Sequence, residues 1–140
     1  MKAIDDGLFT KLTADSGAGG VVTLLGGAEK INMSTAPQGL AHPHLAYRII
    51  SGVPEYTLTQ ECYRRTVYRF TLTDKGESFD VIKQAADRLE TLLNDSALAM
   101  TGWDLKVMRL RQRLPDITIP ENGSLYPTID IDFTIEVTKQ

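Results

Sequence analysis

Apolar residues recur along this chain with two spacings, and the changes between them mark its elements. Ile4, Leu8 and Leu12 return every four residues, which predicts a short amphipathic helix over Ile4 to Thr13, with Asp5 and Asp6 in a first turn that favours negative charge. Asp15-Ser16-Gly17 ends it. The cluster Val21-Val22-Thr23-Leu24-Leu25 is bracketed by glycines and reads as a helical turn closed at Gly26-Gly27. Phe79, Ile82, Ala85, Ala86, Leu89, Leu92 and Leu93 keep helical spacing throughout, with Ser78 placed to cap the start and Lys83, Gln84, Asp87 and Glu90 on the solvated side.

Alternation takes over elsewhere. A short strand is expected over Glu29 to Met33, and another over His44 to Ser51, ended by Gly52-Val53-Pro54. A long strand follows over Glu61 to Thr73, with Arg64, Thr66, Tyr68, Phe70 and Leu72 on one face. Tyr63, Arg65, Val67, Arg69 and Thr71 lie on the other. Two further strands are expected over Trp103 to Leu114 and about Leu125 to Val137, joined by a loop over Pro115 to Gly123. In the last strand Ile129, Ile131, Phe133, Ile135 and Val137 alternate with Asp130, Asp132, Thr134 and Glu136, the pattern of a sheet packed on one face and wet on the other. The expectation is an α+β fold: an antiparallel or mixed sheet of about four or five strands with two main helices packed on it.

The penultimate strand changes phase. Leu105 and Val107 are apolar at odd positions, Met108 and Leu110 at even ones, which predicts a bulge near Val107 and Met108. Arg109, Arg111 and Arg113 would then share the wet face with Asp130, Asp132 and Glu136. If the two strands pair antiparallel with Arg109 opposite Asp132, Arg111 falls opposite Asp130. These six residues are the candidate assembly face; the competing placement lines a channel with the three carboxylates.

Composition narrows the class. At 140 residues one domain over 1–140 is expected, and 42% hydrophobic with 24% charged residues is ordinary globular usage. A formal charge of −3 argues against broad nucleic-acid binding, which needs a basic surplus. The single cysteine, Cys62, excludes an intrachain disulfide. The start lacks the pattern of a signal peptide and no window has membrane-spanning length, so synthesis in the cytoplasm and no membrane partner are expected.

Candidate chemistry is sparse. The glycines at 17, 19, 20, 26 and 27 fit neither phosphate-loop pattern and read as turns. His42 and His44 lack the third and fourth ligands that zinc wants, and Cys62 has no flanking motif that would supply a base. The most suggestive set is Asp130, Asp132 and Glu136, which on one strand face could hold metal ions for phosphoryl transfer. A small metal-dependent nuclease is therefore the enzymatic alternative, although the same alternation arises in any half-exposed strand. No catalytic, metal or cofactor site is expected, and the chain is read as a non-enzyme.

The order of elements resembles the tail-completion, or tail-terminator, family of long-tailed bacteriophages. The resemblance runs through the first helix and the apolar stretch ending Leu24-Leu25-Gly26, then Ala36-Pro37-Gln38-Gly39 and Pro43 before His44-Leu45-Ala46-Tyr47-Arg48-Ile49-Ile50. It continues through the strand from Arg64 to Thr73, the helix from Phe79 to Leu93, and two closing strands. It implies a virion structural protein that forms a homo-oligomeric ring, typically hexameric, at the head-proximal end of the tail tube. The ring would end tube growth and offer the head-tail joining surface. Implied partners are the tail tube protein and a head completion or connector protein, with DNA passing through unbound. Another head-tail joining or minor tail protein is the alternative within this class.

Overall fold

Strand pairing decides the architecture. The computed structural model describes residues 2–56, 61–118 and 123–140. Among them, strands β1 (Ile31–Met33), β2 (His44–Tyr56), β3 (Glu61–Thr73), β4 (Trp103–Thr118) and β5 (Tyr126–Lys139) form one sheet in the order β1-β2-β3-β5-β4. β1 runs parallel to β2, and every other neighbouring pair is antiparallel. The sheet is therefore mixed and five-stranded, as the alternating segments led one to expect. The two long central strands, β3 and β5, pair without a break from Tyr63↔Thr138 to Thr73↔Thr128.

Helices α1 (Lys2–Thr13), α2 (Val21–Leu25) and α3 (Asp80–Leu93) lie on one side of the sheet. Ile4, Leu8 and Leu12 from α1, Val21 and Leu25 from α2, and Ile82, Ala85, Ala86, Leu89 and Leu93 from α3 are buried against the inner face. That face supplies Tyr68, Phe70 and Leu72 from β3 and Ile129, Ile131, Phe133, Ile135 and Val137 from β5. Phe70 sits at the centre, stacked on Tyr47 and edge-on to Phe133, each at 5.6 Å between ring centroids. Removing a side chain this size from water stabilises the fold by about 1.5–3 kcal/mol.

Directed polar contacts fix where the helices sit. Tyr47 Oη donates to the Asp5 carbonyl at 2.9 Å and Tyr68 Oη to Asp5 Oδ1 at 2.5 Å, tying the first turn of α1 to β2 and β3. Burial pushes the pKa of both phenols upward, so they remain donors. Arg88 on α3 grips Asp15 through Nε and Nη2, at 2.9 and 2.7 Å, while Asp15 accepts the Val21 N–H at 2.8 Å. One carboxylate thus joins the start of α2 to α3. Gly26 closes α2 at φ 92°, a left-handed position that glycine occupies without steric cost. The N-cap of α3 is Phe79 and not the expected Ser78, which instead accepts the Asp80 N–H at 3.2 Å from one residue earlier.

Three expected boundaries moved. Residues 28–30 form a single 3-10 turn, leaving only Ile31–Met33 as strand. Gly52-Val53-Pro54 does not end β2: the strand runs on to Tyr56, with a register shift between Ile49 and Ser51. Likewise Pro115 does not open a loop, because β4 continues to Thr118. Both prolines lie on edge strands, where a missing N–H leaves one side of the ladder intact. Of the expected 115–123 loop, residues 119–122 lie outside the described residues.

Candidate functional site

The face of the sheet turned away from the helices carries a row of ionic contacts rather than a cleft. Its centre is Asp132 on β5, opposite Arg69 on β3. Arg69 donates from Nε to Asp132 Oδ1 at 2.9 Å and from Nη2 to Oδ2 at 3.0 Å, a two-pronged match of guanidinium and carboxylate. Gln112, opposite Asp132 on β4, donates to the same Oδ2 at 2.6 Å. With 1% of its side chain exposed, Asp132 is buried beneath these partners. The Arg69 guanidinium holds its carboxyl below the ordinary range, and Gln112 adds to that, against the opposing effect of burial.

On either side the row continues. Arg65 Nε donates to Glu136 at 2.7 Å, and Thr71 Oγ1 donates to Asp130 at 2.7 Å. Opposite charges thus meet across the sheet, but between β3 and β5. The expected partners on β4 do not take these places. Arg109 lies opposite Thr134, Leu114 lies opposite Asp130, and Arg111 falls in a register shift between Leu110 and Gln112. The expected shift near Val107 and Met108 is present, at Lys106, but a second follows at Arg111. The second returns the strand to its original phase and sends Arg113 to the helix side, where Nη1 meets Asp87 at 2.7 Å and Glu90 at 3.3 Å. Arg109 is drawn to Asp95, just beyond α3, at 2.9 Å. The six candidate residues therefore divide between two faces.

As a metal site this face is poorly suited. Asp132 and Glu136 are each bonded to an arginine and Asp130 to a hydroxyl. Among the described residues no three histidine, cysteine or carboxylate side chains converge on one point. The rings of His42 and His44 lie 4.8 Å apart and tilted by 35°, with Tyr126 beyond at 5.3 Å from His42. Burial, then the neighbouring His42 and Lys30, lower the pKa of His44. Cys62 is half-buried near the start of β3.

A shallow depression of about 180 Å³ opens between Ile50, Val67, Arg111 and the Arg69–Asp132 pair. A larger groove of about 660 Å³ lies between α1, residues 99–101 and Trp103. Gly7 makes that packing possible, since a side chain there would meet the Ala99 carbonyl at 2.7 Å. In the larger groove the Lys2 ammonium is paired with Asp6. Sequence reasoning placed Arg65, Arg69 and Thr71 on a shared face but did not pair them with β5, and it missed Gln112. The available signal was the alternation of β3 itself, whose basic positions match the acidic positions of β5. Among the described residues no helix is long and apolar enough to cross a membrane.

No protein-family model and no curated protein sequence matches the chain. Solved structures do. One chain from the "Virion of native gene transfer agent (GTA) particle" superposes with a TM-score of 0.77 at 15% identity, covering 98% of this chain and 96% of its own. A second solved structure gives a TM-score of 0.56 at 12% identity, with 96% and 94% covered. At these identities the likeness is one of fold.

Proposed function

We propose that this chain is a structural protein of a phage-like virion. It assembles as a ring, of six copies in the expected case, on the head-proximal end of a tail tube, ending tube growth and presenting the surface that joins head to tail. The observation that carries this reading is the likeness, over nearly the whole length, to a chain of a gene transfer agent virion. The order of elements read from the sequence points the same way independently. Its partners would be further copies of itself, the tube protein and a head-side connector, and the chemistry is binding without a bond made or broken. The ion pairs of the open face fit this role because they neutralise their own carboxylates. Asp130, Asp132 and Glu136 thus stiffen the sheet in preference to forming an acidic channel wall.

The test is deletion of the gene from its particle, with micrographs of the products. Unjoined heads and tails of uncontrolled length are expected. Tails of normal length that fail to join heads would move the protein to another head-tail joining role. Normal particles would overturn the reading altogether. Native mass measurement of the purified protein reports ring assembly directly.

A further inference from the structure

Among the described residues β4 forms one edge of the sheet and β2, beyond the short strand β1, forms the other, and each is covered over only half its length. On β2 the short strand β1 pairs with Leu45, Ala46 and Tyr47, and Ser34 donates its N–H to the Tyr47 carbonyl. From Arg48 onward this edge has no neighbouring strand among the described residues. On β4 the chain leaving α3 covers the other half: Asp95 donates to the Met108 carbonyl, and Leu110 donates to Asn94 Oδ1. Beyond Leu110, no strand pairs with the outer side of β4 among the described residues. The two open halves lie at opposite ends of the sheet, because Gln112, Asp132, Arg69 and Arg48 stand in one row, with β2 continuing one way and β4 the other.

These halves hold most of the exposed large apolar side chains. Among the described residues there are eight, of which Ile49, Ile50 and Val53 lie on the open half of β2 and Leu114 and Ile117 on that of β4, with Leu110 at its margin. Val53 is 57% exposed and Leu114 44%. Apolar residues on open edges are a liability that soluble chains ordinarily remove.

We propose that a second copy of this chain covers them, the open half of β2 in one copy meeting the open half of β4 in the next. The inference rests on the ring reading above and names the contact that builds the ring. Neighbouring copies facing the same way bring these strands together antiparallel, since β2 and β5 run one way and β3 and β4 the other. Directly opposed residues must share a face, and this fixes the register. The extra residue at Ile50 lets Ile49 stand opposite Ile117 on the helix side while Val53 stands opposite Leu114 on the open side. Between them Ser51 faces Asp116 and Gly52 faces Pro115. Arg48 then lies diagonally across from Asp116, an unlike pair at the margin of an apolar contact. Pro115 lacks an N–H, so side-chain burial contributes more than a continuous ladder.

The covered halves act as stops. In this register β1 of the first copy lies past the end of β4 in the second, and Asn94 of the second, which accepts the Leu110 N–H, lies level with Tyr56, the last residue of β2 in the first. Each copy is thereby displaced along the strands relative to its neighbour, so closure requires strands tilted from the ring axis, as in any closed sheet. An isologous contact, β2 on β2 or β4 on β4, would close at two copies and leave the other edge exposed. Only the heterologous match covers both.

The experiment uses full-length Val53→Lys and Leu114→Lys, separately and mixed, in native mass measurement, with circular dichroism confirming that each is folded. Both sites are exposed, so folding should survive. Each variant alone should lose the ring and run as a monomer. The 1:1 mixture should form a heterodimer through the one intact edge on each partner, and proceed no further. A homodimer in either variant alone overturns the heterologous contact, and an intact ring in both overturns the edge contact while leaving the capping reading standing. A wild-type chain that stays monomeric at every concentration overturns the ring reading itself. If either variant misfolds, Val53→Cys mixed with Leu114→Cys in a Cys62→Ser background decides. A disulfide between the two chains, absent when either cysteine variant is alone, is expected, and no such bond at concentrations where the ring forms overturns the proposal.

Discussion

Strands β3 and β5 carry both faces of the sheet, and the two faces hold the molecule by different physics. On the helix side, Tyr68, Phe70 and Leu72 meet Phe133, Ile131 and Ile129 in directly opposed pairs, all buried. On the open side the intervening positions pair Arg65 with Glu136, Arg69 with Asp132 and Thr71 with Asp130. One face gains by removing apolar area from water, which asks little of geometry. The other gains by directed contacts, whose worth depends on how far water is kept out. Asp132 is buried and Arg65 mostly exposed, so the open face itself grades from a strong contact to a weak one.

The largest expected effect breaks the helix side. Phe133→Ala removes the ring packed edge-on to Phe70 and should destabilise by about 3–5 kcal/mol in urea unfolding, a loss comparable to much of the stability of a small domain. A loss below that of the ionic substitutions would reverse the ranking of the two faces.

Next comes the buried contact. Asp132→Ala deprives Arg69 and Gln112 of their acceptor and leaves Arg69 beside Arg48 across β2, so a loss of about 1.5–3 kcal/mol is expected. The double variant Arg69→Met/Asp132→Leu should recover most of it, because two apolar groups of similar size need no partner. Additive losses across Asp132→Leu, Arg69→Met and the double variant would mean the pair is not coupled.

Acid should sharpen the distinction further. The folded pKa of Asp132 is lowered by Arg69 from an ordinary value of 3.8, and that of Asp15 by Arg88. Their stabilisation is complete above the ordinary value and is lost as pH falls through the lowered one. His44 acts in another window: its folded pKa is lowered from 6.5, so the unfolded chain gains a proton first and stability declines as pH drops below 6.5. Unfolding midpoints followed from about pH 7 down to about pH 2 should show both steps, the first absent in His44→Gln and the second reduced in Asp132→Asn. Midpoints in these variants that track the parent would exclude the assignments.

The smallest effect belongs to the exposed pair. Arg65→Ala breaks a contact at 2.7 Å, yet Arg65 is 62% exposed and screened by water and salt, so no resolvable change in melting temperature is expected. A clear loss there would show that the row behaves as one cooperative unit.

What the sequence determined by itself was the identity of the elements and the side of each that turns inward. Ile82, Ala85, Ala86, Leu89 and Leu93 are buried together because helical spacing puts them on one stripe, and Ile129 to Val137 because strand spacing puts them on one face. Period and burial are local consequences of backbone geometry. Partner choice is not, and only the tertiary structure decided it. The arginines of β4 and the carboxylates of β5 are complementary on paper, yet two register shifts send Arg113 to α3, while β3, paired on the other flank of β5, brings Arg65 and Arg69 to the carboxylates. The prolines at 54 and 115 signal chain breaks in one dimension, whereas at the edges of a sheet each omits a single N–H and the strand continues. Strand order and the covering of edges depend on contacts between residues far apart in sequence, and no local period encodes them.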